Sequence, residues 1–132
     1  MIQAYKIAMI CVVIASGTAS QYARGVMEDN IRIRQAGRTA HDLPMDITDV
    51  DGFIAARECA RIGEIWDVVG PLGIERFMVA DCSGHKSTTS WMLRDSILFE
   101  IDYNTAVRWA TVGRGAPVSI VSCSDRKVYE YD

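Results

Sequence analysis

The chain has 132 residues, 49% of them hydrophobic and 23% charged, which suits one folded domain and excludes a disordered tail or two domains joined by a linker. Fourteen Lys and Arg against 17 Asp and Glu give a net charge of −3. No basic run interrupts that balance, so nucleic acid is not an expected partner.

The first feature in chain order is Ile7 to Ala15, IAMICVVIA, an uninterrupted apolar run behind a single cation, Lys6. It is shorter than the ~20 residues a helix needs to cross a bilayer. It gives way to the small residues Ser16-Gly17-Thr18-Ala19-Ser20. The pattern reads as a signal peptide over residues 1–15, with Val13 and Ala15 in the positions a signal peptidase reads, and with residues 16–132 as the folded domain. An uncleaved membrane anchor or a buried strand is the other reading, and the membrane would then be met only through this segment. Export makes the expected location secreted or cell envelope.

That reading governs the four cysteines. Cys11 leaves with the leader, and an exported chain allows a disulfide among the rest. Cys59 with Cys82 is the favoured pair, because each sits beside an expected strand in the middle of the sequence. Cys123 is then odd, a small apolar residue on the C-terminal strand. A zinc site from His41, Cys59, Cys82 and His85 lacks any C-x-x-C or H-E-x-x-H spacing. Neither a metal nor a cofactor is expected.

Gly25 to Gln35 is expected as a short helix with Val26, Met27, Ile31 and Ile33 inward, stopped by Gly37. Arg38 to Asp51 is polar, contains Pro44 and reads as a loop leading into a strand at Phe53 to Ala56. Ile62 to Val69 alternates with a period near two and is rich in β-branched and aromatic residues, so it reads as a strand. Gly70-Pro71-Leu72-Gly73 turns the chain into a returning strand, Glu75 to Ala80. Cys82 to Ser90 is small and polar; Trp91-Met92-Leu93 is a brief apolar stretch. Ile97 to Ile101 is a further strand. Asn104 to Val112 has helical spacing, with Asn104 or Thr105 as its cap and Gly113 at its end. Val118 to Ser122 and Lys127 to Tyr131 close the list of strands. The sum is a mainly β domain of about six strands with one or two short helices, in the size range of a small barrel.

Two aspartates stand at strand ends: Asp81 after Met78-Val79-Ala80, and Asp102 after Phe99-Glu100-Ile101. A carboxyl group at the end of an apolar strand is partly desolvated, which favours its protonated form and suits it to protonating a glycosidic oxygen. A second carboxylate commonly completes such a site. The same positions serve equally well for capping backbone N–H groups, and Asp102 directly precedes the helix expected at 104–112. His85 could orient a carboxylate or act as acid and base; a surface histidine is the simpler reading. Among the tryptophans, Trp109 and Trp66 read as core, and Trp91 is the candidate for stacking on a sugar ring. Ser83, His85 and Asp81 can be written as a triad, but no nucleophile elbow accompanies them.

The succession Ala19-Ser20-Gln21-Tyr22, Gly52-Phe53-Ile54-Ala55-Ala56, Gly63-Glu64-Ile65-Trp66-Asp67-Val68, Phe77-Met78-Val79-Ala80-Asp81, Phe99-Glu100-Ile101-Asp102 and Gly115-Ala116-Pro117-Val118 resembles the double-psi β-barrel of expansins, barwin-like proteins and the rare lipoprotein A family. The resemblance spans residues 17 to about 122. It implies a six-stranded double-psi barrel with Tyr22, Asp81 and Asp102 around an open groove for a polysaccharide, peptidoglycan or a glucan. Asp102 matches the family's general acid and Asp81 its supporting polar position. The chain departs from the family pattern where Tyr103-Asn104 replaces Leu-Ser, where Cys82-Ser83-Gly84 replaces a turn with proline, and in a longer stretch between the two aspartates. That insertion carries His85, Lys86, Trp91 and Arg94, and with Tyr22 it would border the groove. Whether the barrel cleaves a glycan, only binds it, or serves as a structural component of an envelope or particle is left open by the residues. A first segment retained in the fold would favour the structural role.

Overall fold

Side-chain alternation sorts the apolar residues of this chain into two cores. On the strand Gly73–Cys82, Phe77 and Val79 join one buried cluster with Ile54, Val68, Phe99 and Ile101. Met78 and Ala80, between them, join a second with Met27, Ile31, Leu43 and Ala55. A period of two forces this division, since successive strand residues face opposite sides of a sheet. The first cluster fills a barrel; the second lies between its wall and a helix.

The computed structural model describes residues 2–83 and 86–131. Six strands are present among the described residues: β1 (Ile2–Gln21), β2 (Gly52–Ala56), β3 (Ile65–Gly70), β4 (Gly73–Cys82), β5 (Ile97–Ile101) and β6 (Ala116–Tyr131). They form one closed ring in the order β1-β5-β2-β4-β3-β6. The β1–β5 and β2–β4 pairs are parallel, and the others antiparallel. Three helices accompany them: α1 (Val26–Gln35), α2 (Lys86–Arg94) and α3 (Tyr103–Arg108), with a single 3₁₀ turn at Cys59–Arg61. The mainly β, six-stranded barrel expected from the pattern is thus present, with one more helix than expected.

Helix α1 buries Met27 and Ile31 against β4 and leaves Val26 and Ile33 exposed. The two buried side chains lie four residues apart, on one face, and each stabilises the wall by about 1.5–3 kcal/mol. The β3–β4 hairpin turns at Pro71-Leu72, with Gly70 opposite Gly73. Gly70 is required for packing: a Cβ there would stand 2.7 Å from the Trp109 ring. That ring meets Phe77 edge-on at 5.8 Å between centroids.

Strands β1 and β6 outrun the barrel. They pair with each other from Ile2↔Tyr131 to Ala19↔Ala116. β1 meets β5 only from Thr18 to Gln21, and β6 meets β3 only from Ser119 to Val121. Residues 2–14 and 122–131 therefore leave the ring as a two-stranded arm, roughly 40 Å long at ~3.3 Å per residue. Residues 2–14, within the segment expected as a leader, supply one side of this arm, and β1 continues through 15–16, with a shift of register between Val13 and Ala15. The two strands expected at 118–122 and 127–131 are one, because β1 offers a partner across the polar stretch between them. Cys123, expected to be unpaired, faces Cys11 in this ladder with Cα atoms 4.0 Å apart and is bonded to it. The second disulfide joins Cys59 and Cys82, as expected.

Candidate functional site

The polar residues converge where β2 is flanked by β4 and β5. A shift of register between Ile54 and Ala55 sets Ala55 opposite Asp81 on β4. On its other side Ala55 is opposite Glu100 of β5. Two strand spacings, about 10 Å of backbone, thus separate the two acids at one level of the barrel.

Asp81 is 6% exposed and both its oxygens are engaged. Arg34 Nη2 donates to Oδ1 at 2.6 Å in an ion pair. Asn30 Nδ2 donates to Oδ2 at 2.8 Å, and Tyr22 Oη to the same oxygen at 2.7 Å. Asn30 and Arg34 are one helical turn apart on α1, so the helix that buries Met27 and Ile31 also carries both donors to the carboxylate. Tyr22 is fixed from behind by its own N–H, which donates to the Ile101 carbonyl at 2.8 Å. Burial first, then the hydrogen bond to Asp81, pushes the Tyr22 hydroxyl far above its ordinary range. Its proton stays in place, and Tyr22 acts toward Asp81 as a donor.

Glu100 differs in kind. It is half-buried, and burial pushes its carboxyl up from the ordinary value of 4.5; the Ser20 hydroxyl opposes this and the charge of Asp81 adds to it. Ser20 lies directly across from Glu100 in the β1–β5 ladder. It also lines an open cleft of about 470 Å³, together with Gln21, Trp91, Ile97 and Arg114. The site therefore holds one carboxylate locked by a cation and two neutral donors, a second that favours its proton, and an exposed indole nearby. Two carboxyl groups in such unlike surroundings are suited to different roles in proton transfer.

Asp102 stands elsewhere in the hydrogen-bond network. It caps α3, accepting from Thr105 N at 3.1 Å and Thr105 Oγ1 at 2.6 Å, and it also accepts from Phe53 N at 3.0 Å. At 4% exposure it is closed to solvent and shares no hydrogen-bond partner with Asp81 among the described residues. Asp102, expected on an open groove, is therefore buried, and its capping hydrogen bonds engage both of its oxygens. Gly52 permits the arrangement, since a Cβ there would collide with the Thr105 hydroxyl and lie 3.0 Å from Asp102 Oδ1.

Of the residues expected in the site, Tyr22 and Asp81 are brought into direct contact, Trp91 lines the cleft, and His85 lies outside the described residues. Ser83 Oγ donates to the Arg57 carbonyl at 3.0 Å. Cys59 and Cys82, bonded to each other, present no thiolate to a metal. Trp109 is core, with Nε1 donating to Glu75 Oε1 at 2.7 Å, and Trp66 packs against Phe99. Asn30, Arg34 and Glu100 were not anticipated. The signals were present: an Asn and an Arg four apart on an amphipathic helix, and one acid between Phe99 and Ile101 that must face away from both. No family model, curated protein or solved structure matches the chain.

Proposed function

We propose that the protein is an exported polysaccharide-binding barrel that takes peptidoglycan or a glucan along the cleft beside Trp91, with Glu100 in the acid role. The observation that carries this reading is the unequal acid pair: Asp81 ion-paired to Arg34, and Glu100 half-buried with its carboxyl pushed up, next to a cleft with an exposed indole. An indole face suits the apolar face of a sugar ring. A carboxyl group that keeps its proton above the ordinary range can protonate a glycosidic oxygen as the C–O bond breaks. In a lytic reaction a hydroxyl of the same sugar forms the new bond to the anomeric carbon, and its proton leaves to the base that Glu100 has become. The two disulfides suit an oxidising compartment and so support export.

The test is incubation with purified insoluble wall. Wild type is expected to sediment with the wall and release soluble or anhydro-sugar fragments. Glu100→Gln is expected to sediment and release nothing, and Trp91→Ala to stay in the supernatant. Sedimentation of wild type without product reduces the role to binding, and neither sedimentation nor product overturns the reading. A structural role in an envelope or particle is the second reading. It is favoured by β1, whose first thirteen described residues are built into the fold and covalently tied to β6.

A further inference from the structure

Among the described residues, the arm formed by residues 2–14 and 122–131 has two free edges, and they are unlike. Along β6 the edge carries Asp125, Arg126 and Lys127 in succession, the charged guard that keeps an exposed strand from pairing with another chain. Along β1, residues 7–15 carry no charge and no proline. Ile7, Met9 and Val13 are exposed on one face of the ribbon and Ile10 and Val12 on the other, and Ile14, at a shift of register, is 66% exposed. Among the described residues no strand covers the β1 edge between Ile2 and Gly17.

The ladder also shows which backbone groups that edge offers. Cys11 and Cys123, with Cα atoms 4.0 Å apart, form a narrow, non-hydrogen-bonded antiparallel pair, whose N–H and C=O groups point away from the partner strand. Met9, two residues along, has the same orientation. Its amide and that of Cys11 therefore point out of the β1 edge, while those of Ile10 and Val12 point toward β6. On β6, the amide of Asp125, opposite Met9, points out of the guarded edge.

We infer that the β1 edge is a self-association surface, on which a second copy of this chain pairs antiparallel through its own β1. An isologous contact needs one segment that complements itself, and residues 7–15, which bring no like charges together when paired with their own copy, meet that requirement. The result is a four-stranded sheet in the order β6-β1-β1-β6, apolar strands in the centre and charged strands at both rims. The disulfide between Cys11 and Cys123 holds each ribbon in the register that presents these amides. This inference is independent of the polysaccharide reading.

Sedimentation equilibrium on the full 132-residue chain, disulfides intact, tests it. Wild type is expected as a dimer at micromolar concentration. Met9→Pro, which removes one outward N–H and leaves the β1–β6 ladder bonds in place, is expected to weaken association about tenfold or more. Asp125→Pro, the same change on the guarded edge, is expected to leave it unaltered. Amide exchange on wild type gives an answer even where a proline variant does not fold: Met9 and Cys11 amides are expected to be as protected as those of Ile10 and Val12 in concentrated solution, and to lose that protection on dilution. A monomeric wild type, a Met9→Pro dimer as tight as wild type, or an equal loss in Asp125→Pro overturns the proposal. So does a monomer that floats with vesicles of phosphatidylcholine and phosphatidylglycerol, which assigns the arm to lipid.

Discussion

Strands β1 and β6 each live in two environments, and the contrast between the barrel and the arm is instructive. In the ring, Thr18 and Ala19 of β1 have β5 on one edge and β6 on the other, and Ala19 is buried in the core. In the arm, the same strand has one neighbour and no core, and Val12 is 61% exposed. Strand formation is thus continuous across the boundary while burial is not. What changes is closure of the sheet, which supplies the second edge partner and an inner face together. The barrel is held by packing; the arm is held by a ladder and one covalent bond.

The largest effect expected follows from that bond. Cys11 and Cys123 are 112 residues apart in sequence, and closing a loop of that order removes about 5 kcal/mol of entropy from the unfolded chain. Replacing both by Ser is therefore expected to lower the stability of a barrel that the bond does not touch, by about 5 kcal/mol in denaturant titration. The arm amides are expected to exchange faster than those of β2, β4 and β5. An unchanged midpoint means that the arm is energetically separate from the ring.

Asp102 probes the ring itself. Asp102→Ala strands the N–H groups of Phe53 and Thr105, together with the Thr105 hydroxyl, at a cost of about 3 kcal/mol. Asp102→Asn keeps an acceptor oxygen and is expected to cost about 1 kcal/mol. The measurement is thermal or denaturant unfolding beside the wall assay. A capping residue lowers stability in that order and leaves turnover per folded molecule intact. If Asp102→Asn is as stable as wild type and loses all product release, the acid role belongs to Asp102 after all.

Much of the ring was legible in the sequence because its strands are short and alternate cleanly. Ile97 to Ile101 places Ile97, Phe99 and Ile101 inward, and the Gly-Pro-Leu-Gly turn marks the hairpin. Helix α1 could be read from Met27 and Ile31. Helix α2 could not, because Met92 is its one buried residue among those whose side chains are described, so no amphipathic repeat marks it. The arm was hidden for the opposite reason. Residues 7–15 are apolar on both faces, a pattern that fits a leader as well as a strand, and the strand they pair with, β6, lies at the other end of the sequence. The site was half legible. Asp81 and Tyr22 were visible as single residues, whereas Glu100 gains its character from Ala55, Ser20 and Asp81, neighbours that only the closed sheet supplies.

The smallest expected effect concerns Glu100, and it separates the two acids of the site. Its carboxyl is pushed up by burial, so in the folded state it holds its proton above pH 4.5, where the unfolded chain has begun to release it. The folded state then binds more protons than the unfolded one, and stability falls as pH rises through that window. The contribution is fully present below the unfolded value and is lost above the folded one. Glu100→Gln removes this dependence, so the stability of wild type relative to Glu100→Gln is expected to decline from about pH 4.5 upward and to level off once Glu100 is ionised. The partial exposure of the side chain keeps the effect small, because solvent screens it. Glu100 can be titrated directly by carbon-detected NMR, and its curve should move down in Asp81→Asn, where the neighbouring charge is gone. A Glu100 titration that is unmoved by Asp81→Asn would place the two carboxyl groups beyond each other's reach and dissolve the pair on which the proposed chemistry depends.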